Sequence, residues 1–293
     1  MGGLNFAGFP NIERLSDFMA ASDDYESAKA VLYGIGQDFT TSYRPGTRFG
    51  PGRIREASYG VEEFSYHSLA SLADKNFFDL GDIAVIFGDA KSTLDRAHQV
   101  HEKLLADGKL PIMMGGEHLV TLPCVKATYE KYRNDLVLLQ FDAHADLRED
   151  YLGNPLSHAA VMKRCLEFLP SKNLYQFGIR SGTAEEYQIG KNECNLFPHE
   201  VLRPLQEVIP TLGNRPVYIT IDIDVMDPAF APGTGTPEPG GISSREMIEA
   251  ILAMKGLNVV GFDVVECAPG LDTTDRTVVL GAKLIREAIL AFG

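Results

Sequence analysis

The stretch Leu136–Asp146, LVLLQFDAHAD, decides how this chain is read. Leu136 to Phe141 form an almost unbroken apolar run. A run of that length suits a strand covered on both faces, as in a parallel sheet. Asp142, His144 and Asp146 follow, separated only by Ala143 and Ala145. If the backbone stays extended, residues at i, i+2 and i+4 project to one side. Two aspartates and a histidine would then crowd one spot just past the strand. Carboxylates that close repel one another, and taking them out of water is expensive. A cation relieves both penalties, so the stretch predicts a metal site.

Outward from that run, apolar strands alternate with helical patterns. Strands are expected at Ala30–Gly34, Phe77–Ile83, Leu110–Met114, Leu174–Ile179, Val217–Ile223 and Leu257–Val265. Helices are expected from Ile54, over Thr93–Asp107, Leu119–Tyr132 and His158–Phe168, and over Arg203–Ile209 with Pro210 ending it. Ser243 or Ser244 caps the next helix, and Thr273–Asp275 offers caps for the last. The alternation predicts an α/β fold with three layers: a mostly parallel, roughly eight-stranded sheet with helices on both faces. One domain over residues 1–293 is expected, with 1–25 an irregular leader. His98 and His101 sit one turn apart among polar neighbours and read as a solvated helix face.

Composition narrows the partners. The 293 residues carry 27 Lys plus Arg against 40 Asp plus Glu, a formal charge of −13. That balance argues against nucleic acid and anionic membrane as partners. No window is long and apolar enough to span a bilayer. The N-terminus lacks the basic and apolar regions of a signal peptide. Cys124, Cys165, Cys194 and Cys267 are too scattered for a zinc knuckle and suit reduced, buried thiols of a cytoplasmic protein.

In parallel sheets, ligands bind outside the carboxyl ends of the strands. His118, the pair Asp222 and Asp224 in ITIDIDVMDP, and Glu266 all follow apolar strands, as Asp142, His144 and Asp146 do. Four aspartates and two histidines are too many ligands for one ion. Two divalent ions bridged by carboxylates fit the count. Spacing leaves manganese, magnesium, zinc and nickel open; the hard, carboxylate-rich donor set favours manganese.

GGEH at 115–118, FDAHAD at 141–146, SH at 157–158, DIDVMDPAFAPGTGTPEPGG at 222–241 and VECAP at 265–269 resemble the ureohydrolase family of arginases, agmatinases and related guanidino hydrolases. RPGTRFGP at 44–51 is similar to agmatinases in particular. The resemblance runs from about Val31 to the C-terminus. It implies the arginase-like α/β fold and two Mn²⁺ per subunit. One ion would take His118, Asp142, Asp146 and Asp222; the other would take His144, Asp142, Asp222 and Asp224. A hydroxide bridging the metals would attack the guanidinium carbon of a small cationic substrate, with Asp146 accepting its hydrogen bond. Glu266 would bind the guanidinium, and His158 would bind substrate and give a proton to the departing amine. The implied reaction is agmatine plus water to putrescine and urea, a step in polyamine biosynthesis. Guanidinobutyrase, formimidoylglutamase, arginase and a non-catalytic metal-binding subunit are the alternatives. The resemblance also implies a homo-oligomer, a trimer or hexamer.

The chain departs from its relatives where the substrate's tail would lie. Leu147–Ser157, LREDYLGNPLS, carries Glu149 and Asp150, and these acids suit a cationic tail. Ala145 stands where the family's signature has threonine, at a position expected to point away from the ligands.

Overall fold

A computed structural model describes residues 4–6 and 8–293; the expected leader falls partly on residues 1–3 and 7, which lie outside them. The strands in chain order are β1 (Leu4–Phe6), β2 (Phe9–Glu13), β3 (Ala30–Ile35), β4 (Phe64–Ser65), β5 (Ala70–Ser71) and β6 (Phe77–Ile83). They continue with β7 (Leu110–Gly115), β8 (Val137–Phe141), β9 (Leu174–Ile179), β10 (Asn195–Pro198), β11 (Pro216–Asp222) and β12 (Asn258–Val265). The helices are α1 (Gly50–Ser58), α2 (Ala90–Ala106), α3 (Thr121–Tyr132), α4 (Val161–Cys165), α5 (Ala184–Glu193), α6 (Leu202–Leu212), α7 (Ser244–Ala253) and α8 (Arg276–Phe292).

Ten strands form one sheet in the order β1-β2-β6-β3-β7-β12-β11-β8-β9-β10. The eight from β6 to β10 run parallel, as the apolar runs predict. β1 and β2 add an antiparallel hairpin at one edge, so the irregular leader expected over 1–25 contains paired strands. β4 and β5 pair separately.

Strand residues alternate between two buried clusters, which explains the unbroken apolar runs. Val137, Leu139 and Phe141 of β8 face a cluster shared with α1, α6, α7 and α8. Leu136 and Leu138 face a second cluster shared with α2, α3 and α4. The central parallel strands are therefore covered on both sides, which favours apolar residues at most positions.

Four local expectations need correction. Pro210 does not end α6; it sits in the last turn, where the helix runs on to Leu212. α5 and β10 were not expected: α5 is largely exposed and β10 is a four-residue edge strand, so neither has a strong apolar pattern. The helix at His158 is shorter than predicted, a single 3₁₀ turn running into α4. His101 is not solvated. It is fully buried, between the Tyr33 hydroxyl at 2.7 Å and the Thr128 hydroxyl at 3.0 Å. Burial pushes its pKa down to about 3.

Candidate metal centre

β7, β12, β11 and β8 are neighbours in the sheet, and their carboxyl ends lie side by side. Each gives way to a polar residue at or just beyond its end, where the chain leaves the double-sided core: His118 after β7, Asp142 after β8, Asp222 closing β11 and Glu266 after β12. Gly116 and Glu117 carry the chain from β7 to His118. Gly116 must be glycine, since a Cβ there would lie 2.0 Å from the Gln37 carbonyl oxygen. Asp222 closes β11, and its carboxylate accepts the Asp224 N–H at 2.9 Å. The turn after β8 is not a continued strand: Asp146 has φ of 53°, outside extended geometry. Asp142 holds that turn by accepting the His144 N–H at 2.6 Å.

These turns bring six sequence-predicted residues together. His118 Nδ1 lies 3.0 Å from Asp142, 3.2 Å from Asp146 and 3.4 Å from Asp222. His144 Nδ1 lies 3.0 Å from Asp224 and 3.7 Å from Asp142. His118, Asp142 and Asp222 converge as one set, and Asp142, His144 and Asp224 as another, so Asp142 is common to both. Burial, followed by the neighbouring Asp142, pushes the Asp146 carboxyl up to about 6. Burial, followed by Asp224, pushes Asp222 well above the usual carboxylate range.

The fit to metal ions rests on His118. Its Nδ1 is buried and faces three carboxylates, yet it makes no hydrogen bond. The opposite nitrogen, Nε2, lies 3.0 Å from Thr220 Oγ1. Thr220 donates its only hydroxyl proton to Asp263 at 2.6 Å, so it can only accept from His118. Nε2 therefore carries the ring proton, and Nδ1 presents a lone pair to the carboxylates. A hydroxyl or carboxylate behind a histidine fixes a metal ligand in this way. Four carboxylates and two neutral imidazoles are also the charge complement of two divalent ions.

Sequence reasoning missed this supporting layer. Asp263 is fully buried in β12 and accepts from Thr220, from Tyr218 at 2.7 Å and from Thr121 at 3.1 Å. An acid inside an otherwise apolar strand was the available signal, because such groups are buried only when bonded. Arg180 is a second case. Its guanidinium donates to the carbonyls of Asp224 and Glu238, both at 2.7 Å, and fastens the Asp224 turn to the glycine- and proline-rich loop.

Glu266 follows β12 with φ of 63°, a left-handed conformation uncommon for glutamate. Its Oε1 accepts the His118 N–H at 2.8 Å, which leaves lone pairs on both oxygens. His158 Nδ1 stands 3.6 Å from that same oxygen.

A cavity of about 210 Å³ opens above the cluster and is lined by His144, Asp146, Asp222, His158, Arg148 and Glu186 among others. The two loop acids expected near the substrate's tail are elsewhere. Glu149 is exposed and pairs with Arg164 at 3.0 Å and Lys163 at 3.4 Å. Asp150 accepts the Gly153 N–H. Besides Asp146 and Asp222 of the cluster, Glu186 lines the cavity; its side chain caps α5 and faces Arg148 at 3.6 Å.

The sheet and the cluster at its strand ends define the class: a parallel α/β protein with a paired carboxylate–histidine centre. Comparison makes it specific. The model of the arginase family matches residues 28–291. The chain is 50% identical to an agmatinase of Bacillus subtilis (strain 168) over 278 residues, covering 94% of this chain and 96% of that protein. It is 34% identical to a guanidinobutyrase of Pseudomonas aeruginosa, with 97% and 92% coverage. It superposes on the crystal structure of the agmatine ureohydrolase of Thermoplasma volcanium with a TM-score of 0.86 at 34% identity, covering 96% of this chain and 95% of that one. The chain belongs to the arginase family.

Proposed function

We propose that this chain is an agmatinase, hydrolysing agmatine to putrescine and urea. The observation that carries the reading is the convergence of His118, His144 and four aspartates beneath one cavity, in a chain so similar to agmatinases. His118 with Asp142, Asp146 and Asp222 would hold one ion, and His144 with Asp142, Asp222 and Asp224 the other. When bound, a divalent pair makes a water molecule acidic enough to serve as nucleophile near neutral pH.

The chain's own residues supply the rest. Glu266 receives two N–H groups of the guanidinium, a charge-assisted contact that orients the carbon. Asp146 accepts a hydrogen bond from the attacking water. Oxygen adds to the guanidinium carbon and sheds both of its protons, the bond from that carbon to the alkyl nitrogen breaks, and the departing nitrogen gains two protons, one of them as the bond breaks, leaving urea and an alkylammonium. His158, buried beside Glu266, supplies the proton given as the bond breaks. Burial works against a charge on His158, but Glu266 raises its pKa above the ordinary histidine value, which favours the donor form.

A carboxylate at the cavity wall, Glu186, suits the ammonium of agmatine. Arg148 at the same wall favours a second reading, guanidinobutyrate, whose tail is a carboxylate. Urea release measured across agmatine, guanidinobutyrate and arginine decides between them. The expected result is the highest kcat/KM on agmatine; turnover of guanidinobutyrate with none of agmatine would reverse the assignment.

The same reading extends to Mn²⁺ as the ion, on the strength of the hard oxygen and imidazole donors. It extends to a cytoplasmic enzyme of polyamine biosynthesis, supported by four free, buried thiols. It also includes a homo-oligomer, trimer or hexamer, from the resemblance to the family.

A further inference from the structure

We infer that Thr40 and Ser42, anchored by the buried carboxylate of Glu117, are positioning residues that hold His158 ready to gain and lose a proton. The inference rests on the proton-donor role proposed for His158 and goes beyond it by naming what sets that ring's geometry.

Glu117 is fully buried, lies next to His118 and caps nothing with its side chain. It turns instead to the segment after β3. Its Oε1 accepts from Gln37 at 3.1 Å, and its Oε2 accepts the Thr40 N–H at 2.6 Å and the Thr40 hydroxyl at 2.9 Å. Two main-chain bonds reinforce the contact: Gly116 N–H to Ile35 O and Glu117 N–H to Gln37 O, both 2.7 Å. The segment is thus tied to the turn that carries His118.

From that anchor it reaches His158. Thr40 has one hydroxyl proton and gives it to Glu117. Its oxygen is left to accept the His158 main-chain N–H at 3.0 Å. Ser42 addresses the ring. Its N–H donates to Nε2 at 3.2 Å, and its hydroxyl lies 3.1 Å from the same nitrogen. A main-chain N–H can only donate, so it selects the neutral ring with its lone pair on Nε2 and its proton on Nδ1, towards Glu266. Once Nε2 is protonated, the Ser42 hydroxyl can accept from it. One residue therefore offers a partner for each protonation state. A ring with only a structural role needs one of these, not both. The charged groups that bear on the ring are Glu266, Asp146 and Glu117.

The test is a double-mutant cycle on purified, manganese-loaded enzyme. Thr40→Val should lower kcat about tenfold or more, with KM and metal content little changed, and Thr40→Ser should restore most of it. Ser42→Ala should lower kcat and move the pH profile of kcat. In a His158→Ala background neither substitution should cost anything further. Equal losses with and without His158 would mean that the segment acts on folding alone, and would overturn the inference. If His158→Ala itself kept full kcat, the proton role would fall, and this inference with it. Melting temperatures separate a misfolded variant from a mispositioned ring; if Thr40→Val melts early, Ser42→Ala carries the cycle.

Discussion

His118 and Thr220 stand 3.0 Å apart, Nε2 to Oγ1, and that contact decides which face of the imidazole is free. Thr220→Val keeps the shape and removes the acceptor. The ring can then turn or change tautomer, and Asp263 loses its shortest hydrogen bond. Affinity for the ion on the His118 side should fall about 10–100-fold, measured by calorimetric titration of the metal-free protein. Unchanged affinity would remove Thr220 from any supporting role.

Asp142 faces both histidines, whereas Glu266 touches the cluster only through the His118 main chain. Asp142→Ala and Asp224→Ala should abolish turnover and lower metal content, read by elemental analysis. Glu266→Ala should keep metal and lose turnover. A metal-replete Asp142→Ala protein, or a metal-poor Glu266→Ala protein, would contradict these assignments.

Bound ions should also stabilise the fold, because they neutralise carboxylates that burial and mutual repulsion disfavour. At free metal 100-fold above Kd, each ion contributes about 3 kcal/mol. A chelator should therefore lower the melting temperature by several degrees, and readdition of Mn²⁺ should restore it. No shift on chelation would show that the cluster folds equally well without a cation.

His101 gives the protein an acid-sensitive window. Its folded pKa is about 3, below the ordinary histidine value near 6.5. Between those values the unfolded chain binds a proton that the folded chain does not, so stability is retained above pH 6.5 and falls as pH drops towards 3. This residue alone should cost about 2 kcal/mol between pH 7 and pH 5. His101→Gln should flatten that slope in denaturant titrations, whatever it does to stability at neutral pH. An unchanged slope would place the acid sensitivity elsewhere.

The central strands were legible because burial on both faces leaves a simple mark, an apolar run that stops at a polar end. The six clustered residues were legible for the same reason, since each lies just beyond such a run. His101 was misjudged on its polar neighbours, yet it shares a helical face with Ala97 and Leu104, both buried. That i−4 and i+3 spacing places His101 on the core face of α2, and the helical period outweighs local polarity. Glu149 was misplaced because nothing in a loop's sequence gives a side chain its direction. Thr220 was hidden as an ordinary β-branched strand residue; only the three-dimensional register sets it against His118. The N-terminal hairpin did not announce itself because its strands span three and five residues, the second containing Pro10.

β12 is the last strand in the chain, yet it lies between β7 and β11 at the middle of the sheet. A nascent chain that has not yet released residues 258–266 from the ribosome has a gap there, and lacks Asp263 and Glu266. The two halves of the centre can be brought into register only when that final strand slots in. A polypeptide truncated before β12 keeps all six clustered residues in its sequence but lacks the strand that lies between the one bearing His118 and those bearing the other five.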